Sequence, residues 1–352
     1  MFYRFLAGAR TGLQGQCGVA EAPARRAIID IGTNSVKLLV ADVIGETVRP
    51  VWERGKQTRL GQGFYETHIL RQNAIADTAQ AVAKFMERAV SFQVPRTRIQ
   101  VIATSAARDA LNQQDLLGAI QQASGLRTLV ISGEQEAGWA YRGVMTNPQF
   151  IGRRLLIMET GGGSMQLILG DGTRPQFNQS YKLGVVRLLE RLKPGDPPTP
   201  GELAHCRGWL REFCQQHLEP DLRPLLQPPG GANVRFVGSG GTVAVLARMQ
   251  RRSGDLSREE IEEVCLPLPE VRHWVDYLWS RTLAERQCIV GLPKNRADVM
   301  LMGPAIYEAV MDRLGFEEMR VSTRGLRFGA IISFEDQTDP ATSARVPSQG
   351  RD

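Results

Sequence analysis

This sequence predicts an α/β fold built twice over, and three observations carry that prediction. Two glycine-rich turns between apolar strands, about 130 residues apart, are versions of one phrase: Ala27-Ile-Ile-Asp-Ile-Gly-Thr-Asn-Ser-Val-Lys-Leu-Leu-Val40 and Leu156-Ile-Met-Glu-Thr-Gly-Gly-Gly-Ser-Met-Gln-Leu-Ile-Leu169. Superposing them sets Asp30 on Glu159, Gly32 on Gly161, Ser35 on Ser164 and Asp42 on Asp171. After each phrase, short apolar strands alternate with helical periodicity, the pattern of mixed sheets covered by helices. Finally, 352 residues exceed what one hydrophobic core ordinarily serves, so two domains are the default. Two hairpins in register imply a duplicated fold with a phosphate cleft between its halves.

The elements follow in order. Residues 1–26 are rich in Gly, Ala and Arg with Pro23 before the first strand, and read as a loose leader. A first domain, 27–150, opens on the hairpin strand pair 27–43 and continues with a strand at 48–53 and a helix at 73–92. A buried strand at 99–103 leads through Thr104-Ser-Ala-Ala-Arg108 into another helix, and 129–131 is a short strand. Ser132-Gly-Glu-Gln135 fits an S-x-x-Q capping box and so opens a helix to about residue 144.

The second domain, 151–335, repeats the hairpin and then starts a helix carrying Arg187 after Ser180-Tyr-Lys-Leu-Gly184. The proline-dense stretch 194–200 is a loop, and 202–218 is amphipathic. A strand at 234–237 enters Gly238-Ser-Gly-Gly-Thr242 and a helix at 243–250. A helix at 297–314, a strand at 319–321 and a last helix after Ser322-Thr-Arg-Gly325 complete it. Residues 336–352, polar with Pro340 and Pro347, read as a frayed tail.

Composition narrows the function classes. With 42% hydrophobic and 23% charged residues the chain is globular. No apolar run reaches the roughly 18 residues that a membrane-spanning helix needs, and residues 1–26 lack a signal-type apolar stretch, so a cytoplasmic protein is expected. Cys17, Cys206, Cys214, Cys265 and Cys288 form no C-x-x-C pair and are odd in number, which argues against a disulfide framework. Residues 1–26 hold +3 of the formal +6 charge, leaving a mildly basic body suited to a polyanion. Zinc-finger spacing, RNP-like strands and lysine-rich arms are missing, so specific nucleic-acid binding is not expected.

The candidate site gathers at the glycine loops. Gly32, Thr33, Asn34 and Ser35 in one turn, and Gly161, Gly162, Gly163 and Ser164 in the other, offer backbone N–H groups and hydroxyls to a phosphate oxygen, because glycine lets the chain approach closely. Asp30 and Glu159, at the strand ends, can hold a metal ion or a water beside that phosphate. Gly238, Ser239, Gly240, Gly241 and Thr242 join a strand to a helix N-terminus, where free N–H groups favour an anion. There is no G-x-x-x-x-G-K-[ST] and no G-x-G-x-x-G. Glu134 and Glu136 are two apart and cannot share a helix face, so only one of them should enter the cleft. Arg108 follows a buried strand and suits bidentate phosphate contact. The four histidines stand apart from these loops, which suggests neither phosphohistidine chemistry nor a zinc site.

The ordered set Asp30-Ile-Gly-Thr-Asn-Ser35, Lys56-Gln-Thr-Arg-Leu-Gly61, Ala103-Thr-Ser-Ala-Ala-Arg-Asp109, Ile131-Ser-Gly-Glu-Gln-Glu-Ala137, Gly161-Gly-Gly-Ser164, Leu183-Gly-Val-Val-Arg187, Gly238-Ser-Gly-Gly-Thr242, Arg296-Ala-Asp298 and Gly325-Leu-Arg327 resembles the exopolyphosphatase and guanosine pentaphosphate phosphatase family, Ppx/GppA. The resemblance covers roughly residues 27–333. It implies two ribonuclease-H-like domains of the actin, hexokinase and Hsp70-like superfamily facing a cleft. It also implies hydrolysis of a terminal phosphoanhydride of polyphosphate or pppGpp, with Mg²⁺ or Mn²⁺ as cofactor. By motif position Glu136 is the general base, raised in pKa by apolar neighbours such as Trp139 or by adjacent carboxylates. Arg108 would grip phosphates and the three glycine loops would hold the terminal one. A homodimer is the expected assembly.

Three positions depart from the family pattern, two of them at the metal site. Glu159 stands where Asp is usual, Gln166 where Glu is usual, and Phe328 replaces a common Glu after Gly325-Leu-Arg327. A carboxamide oxygen can still ligate Mg²⁺ but brings no charge, so affinity should fall or the ion should sit differently. An altered rather than inactive enzyme is expected. Longer members continue into a further helical region, so short substrates are expected to be preferred over long polymer. Two alternatives stay open: an ATP-dependent kinase of the same superfamily, and a non-catalytic sensor of guanosine tetra- or pentaphosphate.

Overall fold

The computed structural model describes residues 23–334 except Thr173 and residues 227–233. The stretch read as a tail, and all but the end of the one read as a leader, lie outside the described residues.

The first sheet has the order β3-β2-β1-β4-β5. Its strands are β1 (Ala24–Ile31), β2 (Ser35–Ile44), β3 (Thr47–Gln57), β4 (Ile99–Ala103) and β5 (Thr128–Val130). β1, β2 and β3 form an antiparallel meander, and β4 and β5 run parallel to β1. The second sheet has the order β10-β11-β9-β6-β7-β8. It comprises β6 (Leu155–Thr160), β7 (Met165–Gly170), β8 (Pro175–Tyr181), β9 (Arg235–Ser239), β10 (Cys265–Pro267) and β11 (Glu318–Ser322). Its run β8-β7-β6-β9-β11 repeats the first sheet strand for strand, in the same directions, with β10 added antiparallel at the edge. Each sheet with its helices is a ribonuclease-H-like unit, and the pair has the actin-like arrangement that the duplicated hairpins foreshadow.

Several boundaries differ from the sequence reading for identifiable reasons. β1 starts at Ala24 because Arg25 pairs with Asp42 across the ladder at 2.8 and 3.0 Å, while Arg26 donates to the carbonyl of Ile331. β3 runs on to Gln57, opposite Ser35, where Glu53, Arg54 and Lys56 hide its apolar alternation. The helix expected at 297–314 begins as short 3₁₀ turns and becomes α-helical at Met302–Leu314, with Pro304 in the first turn, where its missing N–H is harmless. The helix Leu268–Trp279 and the strand β10 have no counterpart in the sequence reading.

Two helices cross between the halves. The Gly133–Met145 helix opens on the expected capping box, with Gln135 N–H donating to Ser132 Oγ and Ser132 N–H to Gln135 Oε1, both at 3.1 Å. It follows the first sheet in sequence, yet Ala137, Ala140, Tyr141 and Val144 pack on Leu155, Ile157, Ile168 and Val237 of the second. Conversely, the closing helix Leu326–Ile332 returns to the first sheet, burying Leu326, Phe328 and Ile331 against Ile28, Leu39 and Ile102. The two helices meet backbone to backbone: Gly143 faces the carbonyl of Gly325, and Gly329 faces that of Trp139. A side chain at either glycine would force them apart, so these glycines fix how the halves face each other.

Candidate active site

The two hairpin turns have the same construction. Gly32 N–H donates to Ser35 O at 3.1 Å, and Gly161 N–H donates to Ser164 O at 2.9 Å. Register then sets Asp30 directly opposite Lys37, and Glu159 directly opposite Gln166. The tips touch, Gly162 lying against the side chain of Thr33. Behind them, the N-terminus of the Val185–Leu192 helix donates to the carbonyls of Gly161 and Gly162, and Arg187 Nε donates to Gly163 O at 2.8 Å. With those carbonyls taken, the N–H groups of Thr33, Asn34, Gly162 and Gly163 meet no backbone acceptor among the described residues.

The hairpins enclose a cavity of ≈ 70 Å³ that is also lined by Thr104, Ser105, Glu136, Gln166, Gly241 and Arg296. It opens into a cleft of ≈ 640 Å³, with which it shares Asp30, Lys37, Glu159, Gly241 and Arg296. Six cations line the cleft, Lys37, Arg54, Arg248, Arg258, Arg296 and Arg327, against the acids Asp30, Glu53 and Glu159. Such a surface concentrates a polyanion. Phe328 is buried beneath Arg258, whose guanidinium carbon lies 4.7 Å from the ring centre.

Of the two helix-start acids, Glu136 turns inward and is 7% exposed, while Glu134 faces solvent. Its Oε2 accepts from Arg108 Nη1 at 3.2 Å and its Oε1 lies 3.4 Å from Ser164 Oγ. Burial pushes the Glu136 carboxyl up to about 7; Arg108 opposes the rise, and the charges of Asp30 and Glu159 add to it. Trp139 instead packs with the closing helix. Burial likewise raises Asp30 and Glu159 against the pull of Lys37, lowers Lys37 against that of Asp30, and brings Arg296 down to about 10.

The third glycine loop contributes less than its composition suggests. Gly240, with φ +90°, makes the turn, and Gly241 lines both cavities. Gly238 is filled against Met319, Val243 and Tyr307. Ser239 Oγ donates to Glu159 Oε2 at 3.3 Å, and Thr242 Oγ1 donates to Thr160 O at 3.3 Å, so these residues brace the pocket from behind. Arg108 lines neither cavity; its guanidinium is held by Glu136 and by the carbonyl of Ile131. Lys37, Thr104, Ser105 and Arg296 line the pocket without having been singled out for it. Lys37 was legible, since a hairpin closing Gly32 on Ser35 must set residue 37 opposite Asp30.

Among the described residues no three His, Cys, Asp or Glu side chains gather to hold an ion. Hard oxygen donors are nevertheless present: buried Asp30 Oδ1 has no hydrogen-bond partner, and Glu159 keeps Oε1 unused. Gln166 Nε2 donates to Ser164 and Ser180, which leaves its Oε1 as a donor to a cation. That set suits Mg²⁺, which takes one or two carboxylates and completes its shell with water and phosphate oxygens.

An actin-like cleft whose paired hairpins close on a phosphate-sized cavity, beside a carboxyl held near neutrality, defines a phosphate-handling enzyme of that superfamily. Comparison with known proteins narrows the class, since the description of the Ppx/GppA phosphatase family matches residues 39–338. The chain is 31% identical over 324 residues to exopolyphosphatase 2 of Mycobacterium tuberculosis, covering 88% of this chain and 98% of that one. It is 29% identical over 305 residues to a guanosine-5'-triphosphate,3'-diphosphate pyrophosphatase of Vibrio cholerae, covering 87% of this chain and 58% of that one. The crystal structure of the Aquifex aeolicus family member matches with a TM-score of 0.72 at 27% identity, over 90% of this chain and all of that one. The chain belongs to the Ppx/GppA phosphatase family and is a phosphoanhydride hydrolase. Among the described residues no helix is long and apolar enough to cross a membrane.

Proposed function

We propose that the protein releases the terminal phosphate of inorganic polyphosphate or of pppGpp by water attack, with Glu136 as general base. The observation that carries this reading is the Glu136 carboxyl, buried at the wall of the hairpin cavity and held at about 7, where a substantial fraction is ionised near neutral pH and is basic enough to take a proton. The names of the Mycobacterium and Vibrio relatives supply the two substrates.

In this reading the terminal phosphoryl group sits between the hairpin tips, its oxygens on the N–H groups of Thr33, Asn34, Gly162 and Gly163 and the hydroxyls of Thr33 and Ser164. Glu136 takes the proton of the attacking water as the P–O–P bond breaks. Arg108 leaves its pairing with Glu136 for a phosphate oxygen, which raises the basicity of the carboxylate. Lys37 and Arg296, at the mouth, stabilise the charge that builds on the leaving phosphate oxygen. Asp30, Glu159 and Gln166 would hold Mg²⁺ or Mn²⁺, which when bound neutralises phosphate charge.

Phosphate release from pppGpp, short polyphosphate and long polyphosphate, measured side by side with a Glu136→Ala control, tests the reading. Release from at least one substrate that the control abolishes supports it. Tight nucleotide binding with no release in the presence of Mg²⁺ or Mn²⁺ would replace it with the sensor alternative.

A further inference from the structure

Tyr65 stands where the phosphate cavity ends. Its hydroxyl is 3.5 Å from Thr33 Oγ1, and a side chain on Gly163 would meet Tyr65 Oη, Ser105 Oγ and Thr33 Oγ1 together. Thr33, Ser105 and Gly163 all line the cavity, so Tyr65 backs the corner that they form, its hydroxyl against them and its ring filling the space behind. Its ring lies under Arg187, whose guanidinium carbon is 4.0 Å from the ring centre and whose Nη2 donates to Asp109 at 3.2 Å. The backbone is held too: Gly63 N–H and Tyr65 N–H both donate to the Glu190 carboxylate, at 2.5 and 3.3 Å.

Behind the ring lies a second cavity of ≈ 400 Å³. Tyr65 lines it together with the cations Lys182, Arg187, Arg191 and Lys193 and the acids Glu66 and Glu190. Glu66 is paired with Lys193, and Glu190 is occupied by the Gly63–Tyr65 backbone. The tyrosine ring is thus a partition between a phosphate-sized space and a larger space with cationic walls.

We propose that Tyr65 is the specificity residue that restricts hydrolysis to chain ends. The inference rests on the hydrolase reading above. A terminal phosphoryl group needs one passage out of the cavity, for the bridging oxygen on its chain side. An internal phosphoryl group carries chain on both sides and needs two. The cleft at Asp30, Lys37 and Arg296 provides the first passage and Tyr65 blocks the second. Without the ring, the second cavity would give an internal segment a cationic exit. Water could then add across an internal P–O–P bond and leave two shorter chains.

The test uses polyphosphate with free ends and polyphosphate capped at both ends as phosphoramidate, with products resolved by gel. Wild type and Tyr65→Phe, which keeps the ring, should release phosphate from free ends and leave capped chains intact. Tyr65→Ala should cut capped chains into intermediate lengths, at least tenfold faster than wild type. Tyr65→Val, which lacks the ring but keeps a branched side chain, serves if the alanine variant does not fold. A folded Ala or Val variant that still releases phosphate from free ends and leaves capped chains untouched overturns the proposal, as does a wild type that cuts capped chains. A wild type inert on free-ended polyphosphate and on pppGpp overturns the hydrolase reading and this inference with it.

Discussion

Arg108 Nη1 lies 3.2 Å from Glu136 Oε2, so the residue suited to grip phosphate is paired with the residue suited to take a proton. The pairing restrains a carboxyl that burial pushes up to about 7. Substrate that draws Arg108 away would therefore make Glu136 a stronger base when it is needed.

Glu136→Gln keeps size and hydrogen bonding but cannot accept a proton. Turnover should fall by about 10²- to 10⁴-fold, while the affinity for a polyanion stays level or rises, because a nearby negative charge is gone. Steady-state kinetics and a binding titration on one preparation separate the effects. Near-normal turnover with weakened binding would move the role to Glu159, the other glutamate that lines the cavity.

Activity should rise with pH through about 7 as Glu136 ionises. Arg108→Met removes the cation that opposes the rise and should move this limb up by roughly one unit or more. Stability runs the other way. The folded chain binds the Glu136 proton more tightly than the unfolded chain, whose glutamate titrates near 4.5. That contribution is complete below the unfolded value and is lost as pH rises through about 7. Denaturant titrations of wild type and Glu136→Gln at pH values spanning that window should diverge, with the variant relatively more stable at the alkaline end.

Gln166→Glu puts a carboxylate directly opposite Glu159. The half-saturating Mg²⁺ concentration should fall, and Mn²⁺ binding followed by electron paramagnetic resonance should tighten in step. An unchanged titration by both readouts would mean that residue 166 does not face the ion.

Gly329→Ala places a methyl group against the backbone of Trp139 at the crossing of the Gly133–Met145 and Leu326–Ile332 helices. It should cost about 3 kcal/mol or more, because neither backbone can yield without moving a half of the molecule. Gly118→Ala, in the Gln113–Ser124 helix with open space around it, should instead stabilise by about 0.5–1 kcal/mol. Equilibrium denaturation checks both.

What the sequence determines by itself is what short-range physics controls. Paired hairpins follow from Gly, Thr and Ser between apolar strands, and their register then fixes Asp30 against Lys37 and Glu159 against Gln166. Ser132 and Gln135 start a helix locally, and a helix turns residues two apart to different faces, so Glu136 and Glu134 had to part. Tertiary structure decides which distant segment supplies the other wall. The exchange of the two crossing helices depends on backbone contact between Gly143 and Gly325, residues with no sequence signal for each other. Gly238, Ser239 and Thr242 carry the composition of a phosphate loop, yet they brace it from behind because Met319, Tyr307 and Thr160 come to meet them. Tyr65 is not singled out by the sequence and lies in a short helix, Phe64–Thr67, that only the structure shows. It becomes an end wall only when Arg187, Thr33 and Gly163 converge on its ring and hydroxyl, since packing between remote segments, rather than local propensity, sets where a side chain ends.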